Sequence, residues 1–123
     1  MVRYVLDSTV LIDHLRGHEP ATEWLTALEA VPLCSEVSRT EVLVGVRADE
    51  RGAVETLFRA IDWVPVDEAV ARRAGELGQR FRTSHRPGAA GLLIAATVEE
   101  HRATLATSNV RHFPMFPELR SPY

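Results

Sequence analysis

The sequence predicts an α/β fold in which a mostly parallel sheet of four to five strands is covered by helices on both faces. Short apolar runs rich in β-branched residues alternate along the chain with longer amphipathic segments. Strands that alternate with helices in this way form parallel sheets whose two faces are buried. The chain has 123 residues, of which 46% are hydrophobic, and this is enough for a core. We therefore expect a single domain over residues 1–123.

Four segments are predicted strands because each is a short run of apolar, β-branched or aromatic residues bounded by turn-forming or polar residues. They are residues 2–6, 31–35, 62–66 and 103–107. The tail that follows is predicted to be irregular because it contains Pro114, Pro117 and Pro122, with one short edge strand near Leu119.

The helices of the first half are predicted from their capping residues. Ser8 or Thr9 caps a helix that Gly17 ends. Ser38 is predicted to cap the third helix, in a capping box with Glu41 three residues later. These helices are expected over residues 9–17, 21–30 and 39–48.

The helices of the second half are predicted mainly from periodicity. Asp67 precedes a long segment in which Val70, Ala74, Leu77 and Phe81 recur at the spacing of one helix face. An apolar segment near the end of the chain predicts a more deeply buried helix. These helices are expected over residues 53–61, 68–82 and 89–100.

Composition narrows the function only slightly. The formal net charge is −3, so the chain has no global basic character of the kind that marks many nucleic-acid-binding proteins. All fourteen basic residues are nevertheless arginine, whose guanidinium group suits phosphate. No apolar run approaches a membrane span or a signal-peptide core. The lone Cys34 is predicted to be a core residue, and we expect a soluble, cytoplasmic protein.

Four positions are candidates for a functional site. Asp7 and Asn109 each follow a predicted strand, Glu41 lies in the third helix, and Gly91 lies in the first turn of the last helix. In open parallel sheets, ligands bind beyond the carboxyl ends of the strands. Taken singly, Asp7 also suits a helix cap and Glu41 a capping box, so neither residue alone indicates chemistry. Gly91 is unexpected, because glycine inside a helix costs about 1 kcal/mol relative to alanine.

Four blocks of the sequence, taken together and in order, resemble those of a known family. They are "YVLDSTVLIDHLRG", "VSRTEVLVGV", "RPGAAGLLIAAT" and "LATSNVRHF". The chain resembles PIN-domain ribonucleases, and more narrowly the VapC toxins of type II toxin–antitoxin modules, over nearly its whole length. The resemblance implies a three-layer PIN-like fold. It also implies a cognate VapB-type antitoxin, an RNA substrate and a homodimer.

The resemblance further implies a metal-dependent endoribonuclease that hydrolyses phosphodiester bonds. The ligand positions of the family fall on Asp7, Glu41, Gly91 and Asn109, and oxygen ligands of this kind suit Mg²⁺ or Mn²⁺. Among these, Asp7, Glu41 and Asn109 are the predicted catalytic residues. Supporting hydrogen bonds to a water or a carboxylate are expected from two hydroxyl groups, those of Ser8 and Thr107.

The family normally has aspartate at the position of Gly91, so the resemblance also implies a defect. With Gly91 and Asn109, only two of the four ligand positions are anionic, and we expect weak Mg²⁺ binding and greatly reduced cleavage. The glycine is either an inactivating substitution or a feature of a natural, degenerate member of the family. The alternative function is therefore a catalytically inactive PIN-like module that binds antitoxin or RNA without cutting it.

Several other polar residues have simpler roles. Phosphate contacts are predicted for three arginines near the candidate site, Arg82, Arg86 and Arg111. His112 is expected to pack or to bind phosphate, and Asp13 is assigned to a helix surface. His14 and His18 lie four residues apart, but without a third ligand they do not predict a zinc site.

Overall fold

The four strands form one parallel sheet in the computed structural model, which describes residues 1–82 and 87–123. In chain order the strands are β1 (Tyr4–Leu6), β2 (Leu33–Ser35), β3 (Asp62–Val64) and β4 (Thr104–Ala106). Their order across the sheet is β3-β2-β1-β4, and every neighbouring pair is parallel. The carboxyl ends of the two central strands, β1 and β2, therefore lie at the same edge of the sheet.

Within residues 1–82 and 87–123, six α-helices connect and cover these strands. They are α1 (Ser8–Leu15), α2 (Glu19–Thr26), α3 (Glu36–Val44), α4 (Arg51–Arg59), α5 (Glu68–Phe81) and α6 (Ala89–Glu100). Short 3₁₀ turns occupy Ala48–Glu50 and Val110–His112. In the described part of the chain, no helix is long and apolar enough to cross a membrane.

Consecutive residues of each strand enter two different hydrophobic clusters. Val5 belongs to one cluster and Leu6 to the other, and the same division separates Leu105 from Ala106. Because side chains alternate across a strand, the two clusters lie on opposite faces of the sheet. Both faces are thus buried, as the alternating sequence pattern predicts, and the layers are helix, sheet and helix.

The predicted periodicity of the long helix is confirmed. Val70, Ala74 and Leu77 are buried on one face of α5, which packs against α6. Asp67 caps α5, because its carboxylate accepts a hydrogen bond from the Val70 backbone amide at 3.0 Å. Phe81 is half-buried at the end of the same stripe.

The predicted start of the third helix is wrong. α3 begins at Glu36, and its cap is Ser35, whose hydroxyl accepts a hydrogen bond from the Val37 amide at 3.2 Å. Ser38, the predicted cap, is fully buried inside the helix. Strand β2 passes into α3 without an intervening loop, so the first of the two serines meets the free amides. Glu41 consequently lies in the second turn, outside any capping box.

Two further expectations differ from the structure. The first helix is capped by Asp7, not by Ser8 or Thr9, since the Asp7 carboxylate accepts from the Ser8 amide at 2.9 Å. The tail near Leu119 forms no strand in the described residues and instead packs irregularly against the cluster that contains Val5.

Candidate functional site

The Asp7 carboxylate lies at the carboxyl end of β1, where the chain turns into α1. Only 6% of Asp7 is exposed to solvent. Its Oδ2 atom accepts hydrogen bonds from the Thr107 hydroxyl at 2.7 Å and from the Thr9 hydroxyl at 3.0 Å. Its Oδ1 atom accepts from the Ser8 amide at 2.9 Å. Three donors therefore fix the orientation of this buried carboxylate and stabilise its charge.

The loop after β4 completes the surroundings of Asp7. The Thr107 hydroxyl also accepts a hydrogen bond from the Asn109 amide at 2.9 Å, and the Thr9 hydroxyl accepts from the Ser108 amide at 3.3 Å. The bond between Ser108 and Thr9 links residues that are 99 positions apart in the sequence. Thr9 was not among the predicted site residues, although its place two residues after Asp7 in a helix-start motif could have indicated it.

Glu41 lies near Asp7, on α3. Its Oε1 atom is buried and has no hydrogen-bond partner in the described part of the chain. The pKa of the Glu41 carboxyl is raised, mainly by burial and further by the negative charge of Asp7. The Ser8 side chain acts in the opposite direction and lowers this pKa. Asp7 and Glu41 are therefore near enough for the charge of one to act on the other.

Gly91 faces the same space as Glu41. Both residues line a cavity of about 350 Å³, together with Arg111 and His112. A Cβ atom at Gly91 would lie 3.9 Å from the His112 carbonyl oxygen and 3.9 Å from a ring carbon of Phe113. These are ordinary contact distances, so the position has room for a larger side chain pointing toward the cavity.

The remaining predicted residues are less closely grouped. The Asn109 side-chain amide lies 3.1 Å from Nδ1 of His112 and pairs with that ring, whereas Asp7 is bonded by Ser8, Thr9 and Thr107. Arg111 is exposed and lines the cavity, whereas Arg82 is exposed at the end of α5 and does not line it. Arg86 lies outside the described residues.

Three residues assigned to plain roles have specific contacts. Asp13, which was assigned to a helix surface, is half-buried on α1 and accepts a hydrogen bond from the Tyr123 hydroxyl at 2.5 Å. His14 pairs with the Thr22 hydroxyl at 2.8 Å, and the His18 ring lies against the Tyr123 ring with centroids 5.5 Å apart. No signal within the sequence joins Asp13 to a residue 110 positions away.

The donor set fits a hard divalent cation that keeps most of its water. Within residues 1–82 and 87–123, no group of three or more His, Cys, Asp or Glu side chains could hold a metal ion. Two neighbouring carboxylates, Asp7 and Glu41, are present, and the Glu41 oxygen without a partner would gain one. Mg²⁺ commonly binds proteins through one or two carboxylates plus substrate phosphate, and this site offers that number.

Comparisons with known proteins agree with this fold. A family model described as the PIN domain matches residues 4–117. Ribonuclease VapC19 of Mycobacterium tuberculosis is 45% identical over 124 residues, which cover 97% of this chain and 98% of that protein. Ribonuclease VapC10 of the same organism is 45% identical over 122 residues, which cover 97% and 92%. The chain belongs to the VapC group of the PIN-domain family.

Solved structures share the architecture of this PIN domain. A toxin–antitoxin complex from Klebsiella pneumoniae matches with a TM-score of 0.83 at 24% identity, and the match covers 98% of both chains. DNA-bound VapBC from Salmonella typhimurium matches with a TM-score of 0.82 at 19% identity and covers 98% of this chain and 97% of that one. At these identities the likeness concerns the fold.

Proposed function

We propose that this PIN domain is the endoribonuclease toxin of a VapBC-type module, and that Gly91 weakens its cleavage of RNA. The observation that carries the proposal is that Glu41, whose pKa the negative charge of Asp7 raises, lines the same cavity as Gly91. Two relatives that are 45% identical over nearly the whole chain are named ribonucleases. The proposed substrate is therefore an RNA phosphodiester.

We propose Mg²⁺ as the cofactor, with Mn²⁺ as a substitute. Asp7 and Glu41 would hold the ion, Asp7 with its orientation fixed by hydroxyl donors and Glu41 with its unpartnered oxygen. When bound, such an ion polarises phosphoryl oxygens and lowers the pKa of a water that attacks phosphorus. The hydroxyl group of Ser8, which lowers the pKa of Glu41, would favour the charged form of that carboxylate.

The residues around the cavity suggest how RNA would be oriented. Arg111 is exposed at its wall and supplies a guanidinium group for a phosphate oxygen. Such contacts hold the backbone in register and do not select bases. Asn109 precedes the 3₁₀ turn that contains Arg111 and His112, and its side chain pairs with His112. Their pairing would restrict the motion of this segment.

The proposed partners are a VapB-type antitoxin and a second copy of the chain. The structural neighbours include a toxin–antitoxin complex and VapBC bound to DNA, and this likeness supports the antitoxin. Two aliphatic side chains at the end of α3, Leu43 and Val44, are 44% and 84% exposed. Apolar surface of this kind is available to a protein partner.

A second candidate function is supported by Gly91 itself. The first turn of α6 contains no acidic residue, and its cap Gly88 provides no side-chain hydrogen bond. With one carboxylate fewer than the family pattern, the domain would bind antitoxin or RNA and cleave nothing.

Restoring aspartate at position 91 separates these two candidates. We expect Gly91→Asp to fold, since a Cβ there meets nothing closer than 3.9 Å. Under the enzyme proposal it raises Mn²⁺ affinity and raises EDTA-sensitive RNA cleavage by at least about tenfold, the scale on which changes at metal sites act. Gly91→Asn is the matched control, because it has the same shape without the charge.

The outcomes are distinct. Tighter Mn²⁺ binding without RNA cleavage would favour the binding module. No change in either quantity relative to Gly91→Asn would reject the assignment of this cavity as the metal site.

A further inference from the structure

Ser38 and Glu41 lie about one turn apart on the same side of α3. Residues three positions apart on a helix are neighbours, with their Cβ atoms about 5–6 Å from each other. A long side chain on a helix also points back toward the start of that helix, so the Glu41 carboxylate is directed toward the turn that contains Ser38. Ser38 is fully buried, whereas Glu41 is half-buried and reaches the cavity.

The two side chains share a second property, because each has a buried polar atom without a partner. In the part of the chain that the structure describes, the Ser38 hydroxyl oxygen and Oε1 of Glu41 are buried and accept or donate no hydrogen bond. Most buried polar atoms of native proteins are hydrogen-bonded, and leaving one unpaired is costly. Two such atoms on neighbouring positions of one helix call for a common explanation.

Other fully buried hydroxyl groups are engaged elsewhere. The Ser35 hydroxyl accepts from the Val37 amide at 3.2 Å, and the Thr97 hydroxyl of α6 donates to the Leu93 carbonyl oxygen at 2.8 Å. The Ser38 hydroxyl thus differs from them in having no such bond. It can donate one hydrogen bond, and a carboxylate oxygen can only accept, so the two unpartnered atoms are chemically complementary.

One water molecule between these atoms would satisfy both of them. Two hydrogen bonds of about 2.8 Å that meet at a water oxygen span about 4.5–5 Å, which suits side chains whose Cβ atoms are about 5–6 Å apart. The water would accept from the Ser38 hydroxyl and donate to Oε1 of Glu41. Buried waters commonly bridge polar groups in this way. A carboxylate oxygen has two acceptor positions, so the bridge leaves one of them for a cation.

We propose that Ser38 is a positioning residue of the candidate site: its hydroxyl holds one water molecule against Oε1 of Glu41, and this bridge fixes the carboxylate at the wall of the cavity. The bridge itself requires no activity, whereas its effect on metal binding rests on the proposed function.

A double-mutant cycle of stability, measured in EDTA at neutral pH, tests the bridge without any metal. Ser38→Ala removes the hydroxyl group, and Glu41→Met removes the carboxylate while keeping a side chain of similar length. In the wild-type background, Ser38→Ala should lower the urea midpoint by about 0.5 M, because a buried hydrogen bond is lost. In the Glu41→Met background it should not lower the midpoint, because the bridge is already absent.

Ser35→Ala is the matched control, because Ser35 is also fully buried and its hydroxyl group bonds to a backbone amide. Its effect on the midpoint should be the same in both backgrounds. Two outcomes would overturn the proposal. An equal decrease in both backgrounds for Ser38→Ala would mean that the hydroxyl group bonds to a backbone carbonyl of the helix. An increase in both backgrounds would mean that it has no partner at all.

A high-resolution crystal structure provides a direct observation. The wild-type protein should show a water within about 3.2 Å of both the Ser38 hydroxyl oxygen and Oε1 of Glu41, and Ser38→Ala should lack it. Electron density without this water in the wild-type protein would overturn the bridge.

Mn²⁺ binding tests the link to the site, in the Gly91→Asp background. There, Ser38→Ala should weaken Mn²⁺ binding about tenfold. Thr97→Ala removes a hydroxyl that bonds within α6 and should leave the affinity unchanged. If Gly91→Asp binds Mn²⁺ and Ser38→Ala does not weaken that binding, the positioning role is wrong. If Gly91→Asp gains no affinity for Mn²⁺ but the stability cycle shows the coupling, the proposed function fails and the bridge stands.

Discussion

Replacing Thr107 with valine tests how strongly the hydroxyl groups hold Asp7. Valine keeps the shape of threonine and removes the hydroxyl that donates to Asp7 at 2.7 Å and accepts from the Asn109 amide at 2.9 Å. A hydrogen bond to a charged group contributes about 1.5–3 kcal/mol, and a neutral one about 1 kcal/mol. Thr107 is fully buried, so water cannot replace the lost donor. We expect the free energy of unfolding to fall by about 2–4 kcal/mol.

Urea unfolding provides the measurement. With a denaturant slope of about 2 kcal/mol per molar, which is within the range of small proteins, the midpoint of Thr107→Val should fall by about 1–2 M urea. Thr104→Val is the matched control, because Thr104 lies on β4, just before Thr107 in the sequence, and is exposed. A control change within about 0.5 kcal/mol of the wild type is normal for a surface position. Equal midpoints for the two variants would refute the reasoning.

Two further predictions concern buried ionisable groups. The pKa of Glu41 is raised above its ordinary value of 4.5, mainly by burial, so above pH 4.5 the unfolded chain loses this proton before the folded chain does. The free energy of unfolding should therefore decrease as the pH rises above 4.5, and Glu41→Gln should remove this decrease. Urea midpoints of the wild type and of Glu41→Gln, measured between pH 4 and pH 8, test this. A difference between the two midpoints that stays constant with pH would contradict the prediction. Burial also raises the pKa of the Cys34 thiol, so a thiol reagent such as DTNB should react with the unfolded protein only. Rapid reaction of the native protein would contradict this, because it would show that the thiol is accessible.

The alternating pattern was sufficient for the fold, whereas one helix start was not predictable from local sequence. Residues 35–41 contain two serines one helical turn apart, and each can cap a helix. The capping-box pattern favoured Ser38 because Glu41 follows it. In the folded chain β2 leads directly into α3, so Ser35 meets the free amides and Ser38 turns into the interior. The start of α3 is therefore determined by tertiary packing, and a local sequence pattern carries no information about that packing.

The site shows the same division between topology and packing. The sequence pattern was enough to indicate that Asp7 and Asn109 follow strands, because parallel strands have their carboxyl ends at one edge. The hydrogen bonds from Thr9 and Thr107 to Asp7 depend on how α1 and the loop after β4 approach each other. That approach involves residues 98 positions apart, and no short-range signal encodes it.

Asp7 serves the protein in two ways, and mutational studies of VapC-type toxins should take this into account. The carboxylate that belongs to the candidate metal site is also the cap of α1. Loss of a capping side chain to alanine costs about 0.5–2 kcal/mol in itself. An alanine variant without toxicity would thus combine a weaker fold with a missing ligand, and its abundance in the cell would fall together with its chemistry. Asparagine, which also caps helices well, is the substitution that isolates the contribution of the charge.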